Sequence, residues 1–144
     1  MTKILSIKSA IITAIKEVEG LDEVAGFALD NPQQFPSVNV FWTGSSEDYE
    51  TLSKNRVVYS YSIMIIDNIR SESETKEAVY NRIERFTELV LDKLRLIDVA
   101  TLGCYLPKIQ ASQVQDIQSG EGHAYQSTTV YSVGFDRSRD FLNC

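Results

Sequence analysis

Residues 57–97 read VVYSYSIMIIDNIRSESETKEAVYNRIERFTELVLDKLRLI, and this stretch decides the fold. At its start, apolar side chains recur at every second position, which is the period of a strand: Val57, Tyr59, Tyr61, Ile63 and Ile65. The positions between them are partly polar, as in an antiparallel sheet that has one face on a core. From residue 79 the apolar spacing changes to three and four, which is the period of a helix. The sequence therefore predicts a strand over 57–67 that is followed by an amphipathic helix.

Signals at both ends limit this helix to residues 71–97. Ser71 and Glu74 have the spacing of a capping box, in which two side chains bond the first free backbone N–H groups. Acidic residues lie at the amino end and basic residues in the last turns, as the helix dipole favours: Glu72, Glu77, Lys93 and Arg95. One face of the helix is apolar: Val79, Ile83, Phe86, Val90 and Leu94. We predict that this face packs on the strand at 57–67.

A second amphipathic helix is predicted near the start of the chain, over residues 2–19. Its apolar stripe recurs at steps of three and four: Ile4, Ile7, Ile11, Ile15 and Val18. Thr2 is placed to cap its amino end, and Gly20 to end it.

The remaining segments are predicted strands at 24–29, 37–43, 109–117 and 124–136, and the polar stretch at 44–56 is predicted to be a loop. The fold class is α+β, with a mainly antiparallel sheet of four or five strands and both long helices on one face. The order of elements is α-β-β-β-α-β-β. Residues 1–144 form a single domain, in which 136–144 is a candidate flexible tail.

The composition disfavours several classes of protein. The 144 residues carry 14 Lys and Arg against 20 Asp and Glu, a formal net charge of −6. A sequence-independent nucleic-acid binder needs a basic face to displace counterions from phosphates. No apolar run approaches the ~20 residues of a membrane span, and charges interrupt the start that a signal peptide requires. The only cysteines, Cys104 and Cys144, make no disulfide framework. We expect a cytoplasmic protein without membrane association.

The sequence shows no catalytic, cofactor-binding or metal-binding motif. The only histidine, His123, has no nucleophile signature around it, and we interpret it as structural. Gly120 and Gly122 do not form a phosphate loop, because Lys and Ser or Thr do not follow the second glycine. The acidic pairs at 22–23 and 47–48 lack the alternating spacing of a calcium loop. We therefore predict that the chain is not an enzyme and holds no cofactor or metal.

The order of the elements resembles that of the tail terminator proteins of long-tailed bacteriophages. The likeness is carried by the stripe from Ile4 to Val18, the strands at 38–42 and 57–67, the helix at 71–96 and the strand at 125–136. It covers nearly the whole chain and is one of layout rather than of an invariant motif. The resemblance implies an α+β subunit that forms a six-membered ring at the head-proximal end of the tail. Such a ring stops growth of the tail tube and offers the surface that the filled head joins, without catalytic residues.

The same resemblance implies the partners of the chain. They are further copies of itself in a ring, expected to be a hexamer, the tail-tube protein and a head-completion or connector protein. A ring of six copies would carry a formal charge of −36, six times the −6 of one chain. Carboxylates that face the opening would repel phosphates, so that DNA passes without specific binding. The place of action would be the virion tail, which is assembled in the host cytoplasm.

Two other interpretations stay open at this point. One is another head–tail connector or a tail-tube component, and the other is a small-molecule-binding regulatory α+β domain. Self-association separates them, because a ring-forming subunit should oligomerise or add to the ends of tubes. A regulatory domain should instead bind a ligand.

We predict the partner contacts on the polar stretch at 44–56 and on the strand before it. Long loops inside compact domains are uncommon and are often functional. We therefore interpret the stretch as an arm that orders on a neighbouring subunit or tail protein, with a solvated loop as the alternative. Tyr49 and Leu52 would be its apolar anchors, beside Trp42 in the preceding strand. Glu47 and Asp48 would match a basic surface.

Overall fold

The computed structural model describes residues 2–21, 23–27, 36–49, 54–68, 74–119 and 122–138. These residues form two helices, α1 (Lys3–Lys16) and α2 (Lys76–Arg95), and a short 3₁₀ turn at Val99–Leu102. They also form six strands: β1 (Glu23–Ala25), β2 (Ser37–Tyr49), β3 (Lys54–Asn68), β4 (Tyr105–Ala111), β5 (Gln115–Ser119) and β6 (Gly122–Ser138). The α+β class and the predicted order of helices and strands are confirmed.

The sheet has six strands, where four or five were predicted. Their order is β1-β2-β3-β6-β4, and β5 also pairs with β6. β1 and β2 are parallel, and the other described pairs are antiparallel. The predicted strand at 109–117 is in fact two strands. The backbone N–H of Ser112 still donates to Thr128 at 2.8 Å, and the chain leaves the ladder at 113–114, where Val114 packs against the core. As a result, β4 and β5 lie end to end along one edge of β6.

β3 is the central strand of the sheet. All 15 of its residues pair with β6, and residues 55–66 also pair with β2 on the other side. Its odd-numbered side chains face the helices, where Tyr61 donates its hydroxyl to the backbone oxygen of Ile4 at 2.8 Å. Ile83, Phe86 and Val90 of α2 lie in the same buried core as this face of β3. The predicted packing of α2 on the strand is therefore confirmed.

α1 begins at the predicted N-cap and is shorter than predicted at its carboxyl end. The side-chain oxygen of Thr2 accepts a hydrogen bond from the backbone N–H of Leu5 at 3.3 Å. Three isoleucines of the predicted stripe are fully buried: Ile7, Ile11 and Ile15. After the helix, Gly20 has a φ of +94°, and a Cβ there would lie 3.1 Å from the ring of Phe86. Glycine thus lets the chain turn and pass close to α2.

The N-cap of α2 is Thr75, which accepts a hydrogen bond from the backbone N–H of Ala78 at 3.2 Å. The capping box predicted from Ser71 and Glu74 is therefore wrong, and Ser71 lies outside the described residues. Glu74 instead accepts hydrogen bonds from both terminal nitrogens of Arg82, at 2.8 and 3.0 Å. The cause is that a guanidinium is a stronger, charged donor for this carboxylate than a backbone N–H.

Arg82 also ties α2 to the end of β3. Its Nε donates to Asp67, whose side chain is completely buried, and its Nη2 donates to the backbone oxygen of Asn68 at 3.0 Å. The bonds to Glu74 and Asp67 raise the pKa of Arg82 above its already high ordinary value. Charges removed from water are tolerated when their hydrogen-bonding groups are satisfied, and this guanidinium is bonded through all three of its nitrogens.

Two segments predicted to be irregular are strand. β2 continues to Tyr49 and β3 begins at Lys54, so that only residues 50–53 of the predicted loop at 44–56 lie outside the described residues. In the predicted tail, residues 136–138 belong to β6 and pair with residues 54–56, whereas 139–144 lie outside the described residues. These polar residues are strand because the neighbouring strands offer them a ladder. We call residues 44–49, 54–58 and 134–138 together the extension of the sheet.

The position of Phe86 yields a stability prediction. Its side chain is 3% exposed, so Phe86→Ala should lower the free energy of unfolding by about 3–5 kcal/mol. Leu89 on the same helix is 40% exposed, and Leu89→Ala should cost less than ~1 kcal/mol. Denaturant unfolding of both variants measures the difference. Equal losses would contradict the orientation of α2 described above.

The two buried tyrosines of the core predict a loss of stability at high pH. Burial raises the pKa of Tyr61 above the ordinary value of 10.0, and raises the pKa of Tyr131 to about 12. Because the folded state holds these protons more tightly, their contribution is complete below pH 10 and is lost as the pH rises toward 12. Phenolate absorbance and circular dichroism should therefore change together in an alkaline titration.

Tyr131→Phe is the control for this titration. It removes the ionisable group and also a buried hydroxyl that has no hydrogen-bond partner among the residues that the structure describes. The variant should keep more of its stability at alkaline pH than the parent protein. Ionisation of both core tyrosines in a chain that stays folded would contradict their burial.

Candidate interaction surface

A β-bulge at Thr43 divides β2 into two parts. Trp42 lies opposite Tyr61 and Gly44 lies opposite Ser60, so Thr43 has no partner of its own in β3. Gly44 has a φ of +145°, which L side chains rarely adopt, and the hydroxyl of Thr43 donates to the backbone oxygen of Ser60 at 3.1 Å. One extra residue reverses which face each side chain points to. Before the bulge the even-numbered residues of β2 face the helices, and after it the odd-numbered residues do.

Three aromatic rings run across the helix-facing side of the sheet at this level. The rings of Trp42 and Tyr59 meet edge to face with centroids 6.0 Å apart, and Tyr59 meets Phe135 at 4.9 Å. The ammonium of Lys3, at the start of α1, lies 5.2 Å from the centroid of Phe135. The row is buried at Phe135 and becomes exposed toward the edge, since Trp42 is 41% exposed. Trp42, a predicted contact residue, is therefore accessible to a partner.

The predicted acidic contact residues lie on the extension. Glu47 is exposed, and its carboxylate accepts a hydrogen bond from the side-chain amide of Asn55 at 2.7 Å. Asp48 is exposed on the opposite face, in register with Arg56. Tyr49 is the last residue of β2 and pairs with Asn55. Leu52 lies outside the described residues, as does the side chain of Tyr49.

On the face away from the helices, the extension is fastened to β4 by Tyr105. Its hydroxyl donates to Asp136 at 2.6 Å, and the guanidinium of Arg56 lies 5.9 Å from the centroid of its ring. The ring also covers Gly134, where an added Cβ would lie 3.4 Å from it. Tyr105 thus fixes the first residue of β4 to both β3 and β6.

The residue after Tyr105 is the one described non-glycine residue with a positive φ. Leu106 has a φ of +49°, is 61% exposed, and precedes Pro107 in a bulge between the paired residues Tyr105 and Lys108. A left-handed backbone at such a residue costs on the order of 1–3 kcal/mol, and strain of this kind is found at functional positions. Leu106 was not among the contact residues predicted from the sequence. Leu106 precedes the predicted strand at 109–117, and a residue before proline ordinarily favours an extended backbone, so no sequence signal marks a left-handed conformation here.

Among the open concavities beside the helices in the described part of the chain, two are lined by more than one element. A groove of about 390 Å³ separates α1 from the carboxyl end of α2, with Ala10, Ala14 and Leu96 in its lining. Glu17 and Lys93, the charged residues of opposite sign at this groove, pair with each other at 3.4 Å. A hollow of about 170 Å³ lies beside the hydroxyls of Thr87 and Ser127, which are bonded to each other at 2.7 Å. The polar groups named here therefore have partners within the protein.

The residues that carry reactive groups are placed as follows. Cys104 is buried, and burial raises the pKa of its thiol. The backbone of His123 lies in β6 opposite Gln118, while its side chain and Cys144 lie outside the described part. Within the described ranges, no group of three or more His, Cys, Asp or Glu side chains is positioned to hold a metal ion. Among those same residues, no helix has both the length and the apolar character needed to cross a membrane.

No known protein family and no curated protein sequence matches this chain.

Trp42 offers a direct optical test of this surface, because it is the only tryptophan. At 41% exposure, its fluorescence in the dilute protein should be quenched readily by acrylamide. Raising the protein concentration should shift the emission to the blue if Trp42 becomes covered by another copy. Trp42→Phe supplies the baseline for both measurements. An emission that is blue and resistant to quencher in the dilute protein would show that Trp42 is already buried.

Proposed function

We propose that the chain is a structural virion protein, a tail terminator that forms a ring at the head-proximal end of a bacteriophage tail. In this role it stops growth of the tail tube and offers the surface to which the filled head joins. The layout of helices and strands over the described residues has the order on which this resemblance rests. The ring is a homo-oligomer, proposed to be a hexamer.

The observation that carries the proposal is the outer edge of β2. In the described part of the chain, β1 covers β2 only at residues 37–39, so residues 40–49 have no strand beside them on that side. At about 3.3 Å per residue, this edge is about 30 Å long. Its unpaired backbone N–H and C=O groups are a template for contact with another chain. A long edge of this kind favours a protein that acts by assembly.

The two ends of the sheet support a ring rather than a two-fold dimer. One end of the described sheet is formed by β1 and the free part of β2, and the other by β4 and β5. Because these ends differ, joining one to the other is a heterologous contact, and such contacts repeat into closed rings or filaments. In a closed ring, each of the two ends of the sheet contacts the other kind of end in a neighbouring copy.

The extension supports a contact with a further component of the tail. The pairs Asp48–Arg56 and Tyr49–Asn55 lie beyond the level of Phe135, where Lys3 at the start of α1 makes its contact. Glu47 and Asp48, which lie on opposite faces of β2, are both exposed there. Glu47 and Asp48 make the β2 side of this surface acidic, which suits a basic partner surface.

Electron microscopy of purified protein, alone and mixed with tail tubes, tests the proposal. We expect rings in the purified sample or at one end of each tube, and a ring at the upper end of the tail in intact particles. A single copy per particle, or absence from particles, would overturn it. Subunits along the whole tube would instead identify a tube component.

Shortening the extension tests its part in assembly. Replacement of residues 48–56 by Asn-Gly joins Glu47 to its partner Val57 through a tight hairpin turn. This variant should keep its circular dichroism and a folded core but should fail to form rings or to complete tails. The matched control replaces only residues 50–54 by Asn-Gly, which keeps the Asp48–Arg56 pair. Infectious particles from the shorter variant would mean that the extension is only a connector.

A further inference from the structure

The two ends of the sheet each carry an exposed apolar side chain beside a bulge. On β2 this residue is Trp42, next to the bulge at Thr43, and on β4 it is Leu106, within the bulge before Lys108. Trp42 is 41% exposed and Leu106 is 61% exposed. Two strands, β3 and β6, separate them, which corresponds to about 15 Å across the sheet from β2 to β4.

The strand register places Leu106 at the height of Tyr59, whereas the backbone of Trp42 pairs with Tyr61, two residues further along β3. Tyr105 pairs with Gly134 and Lys108 with Ser132, so Leu106 and Pro107 lie beside Val133. Val133 in turn pairs with Tyr59, the ring that the indole of Trp42 contacts at 6.0 Å. A rotation that brings one end of the sheet against the other end of a second copy, without a shift along the strands, therefore brings Leu106 to the height of Tyr59, whose ring the indole of Trp42 contacts.

The bulge on β4 determines what kind of contact this end can make. Pro107 has no backbone N–H, and the left-handed backbone at Leu106 breaks the extended conformation. A neighbouring strand therefore cannot continue the ladder along residues 105–108, and contact there must use side chains. The hydrogen bond from Tyr105 to Asp136 fixes the residue before the bulge, and this restrains the backbone position of Leu106.

The free part of β2 and the strand β4 carry charges of opposite sign. The free part of β2 carries Glu47 and Asp48 and no basic residue between 40 and 49, whereas β4 carries Lys108 and no acidic residue. Head-to-tail contact brings these opposite charges to the same interface. Contact between two copies of the free part of β2 would bring carboxylates together, whereas the end formed by β4 and β5 carries both Lys108 and Asp116.

We propose that Leu106 of each copy packs against the Trp42–Tyr59 pair of the next copy, and that this contact closes the ring. The inference rests on the proposed ring and names its contact. The occupant of the exposed indole face is thus a leucine of a second copy of this chain. The strained backbone at Leu106 is retained because it points an apolar side chain at the neighbour.

Chemical cross-linking tests the contact. Trp42→Cys and Leu106→Cys are combined in a Cys144→Ser background and treated with a short bismaleimide, and buried Cys104 should stay unlabelled. We expect a ladder of dimers, trimers and higher species that ends at the ring. Each single cysteine variant should give no ladder. Dimers from Leu106→Cys alone would show an isologous contact and overturn the proposal.

The Leu106→Gly variant is a second test, in which a loss of ring formation can be distinguished from a loss of folding. Glycine removes the contacting side chain and relieves the backbone, so the thermal midpoint of the subunit should stay the same or rise. The concentration needed for ring formation should rise at least ten-fold. Leu96→Ala, at a leucine that is 76% exposed beside the groove between the helices, should leave it unchanged.

The outcomes separate this contact from the proposed function. Rings in the microscope that do not cross-link through these positions would overturn the contact and leave the ring. A protein that stays monomeric without cross-links at every concentration, and is absent from tails, would overturn both. A cross-linked ring that does not bind tail tubes would support the contact and overturn the assignment to tails.

Discussion

The buried carboxylate of Asp67 constrains the rest of the structure. It lies at the end of the central strand with no exposed side-chain surface, and Arg82 of α2 is its charged partner. Leaving such a charge unpaired costs about 3–5 kcal/mol, so the start of α2 is held at the end of β3. This fixes the direction in which α2 crosses the sheet, and with it the face that becomes the core. Glu74 completes the arrangement by binding the outer side of the same guanidinium.

Both helices pack on one face of the sheet and cover only part of its length. Parts of the sheet therefore do not contribute to the core. The extension continues beyond the level where Lys3 meets Phe135. The two ends differ in their chemistry, with an indole and carboxylates on β2 and a leucine and an ammonium on β4. A chain that folded only to bury its own core would gain nothing from this asymmetry. The proposed ring uses both ends.

The sequence predicted the parts of the fold that depend on local periodicity. Both apolar helix faces and the alternating face of β3 are in the core, because burial follows the spacing of apolar residues. The same reasoning failed where a distant partner decides. Residues 44–49 are polar, yet they form part of a strand because β3 lies beside them. Glu74 does not form the predicted capping box, because its carboxylate accepts hydrogen bonds from Arg82.

The candidate surface was predictable to a smaller extent. Trp42, Glu47 and Asp48 were predicted as contact residues from their types and their position in or before a polar stretch, and they are exposed. Leu106 was missed because a positive φ depends on how Tyr105 is held across β6, which periodicity cannot reveal. The division of residues 109–117 into two strands was missed for the same reason, since it follows from the register with β6.

The bulge at Thr43 has an evolutionary consequence. Since strand side chains alternate, loss of this one residue would exchange the inward and outward sides of every later position in β2. Glu47 would move to the face that Asp48 now occupies, while the core residues before the bulge would keep their places. A single codon deletion or insertion would therefore change the charge pattern of the extension without a change in composition. Descendants of this chain could acquire a different partner preference by this route more readily than by many separate substitutions.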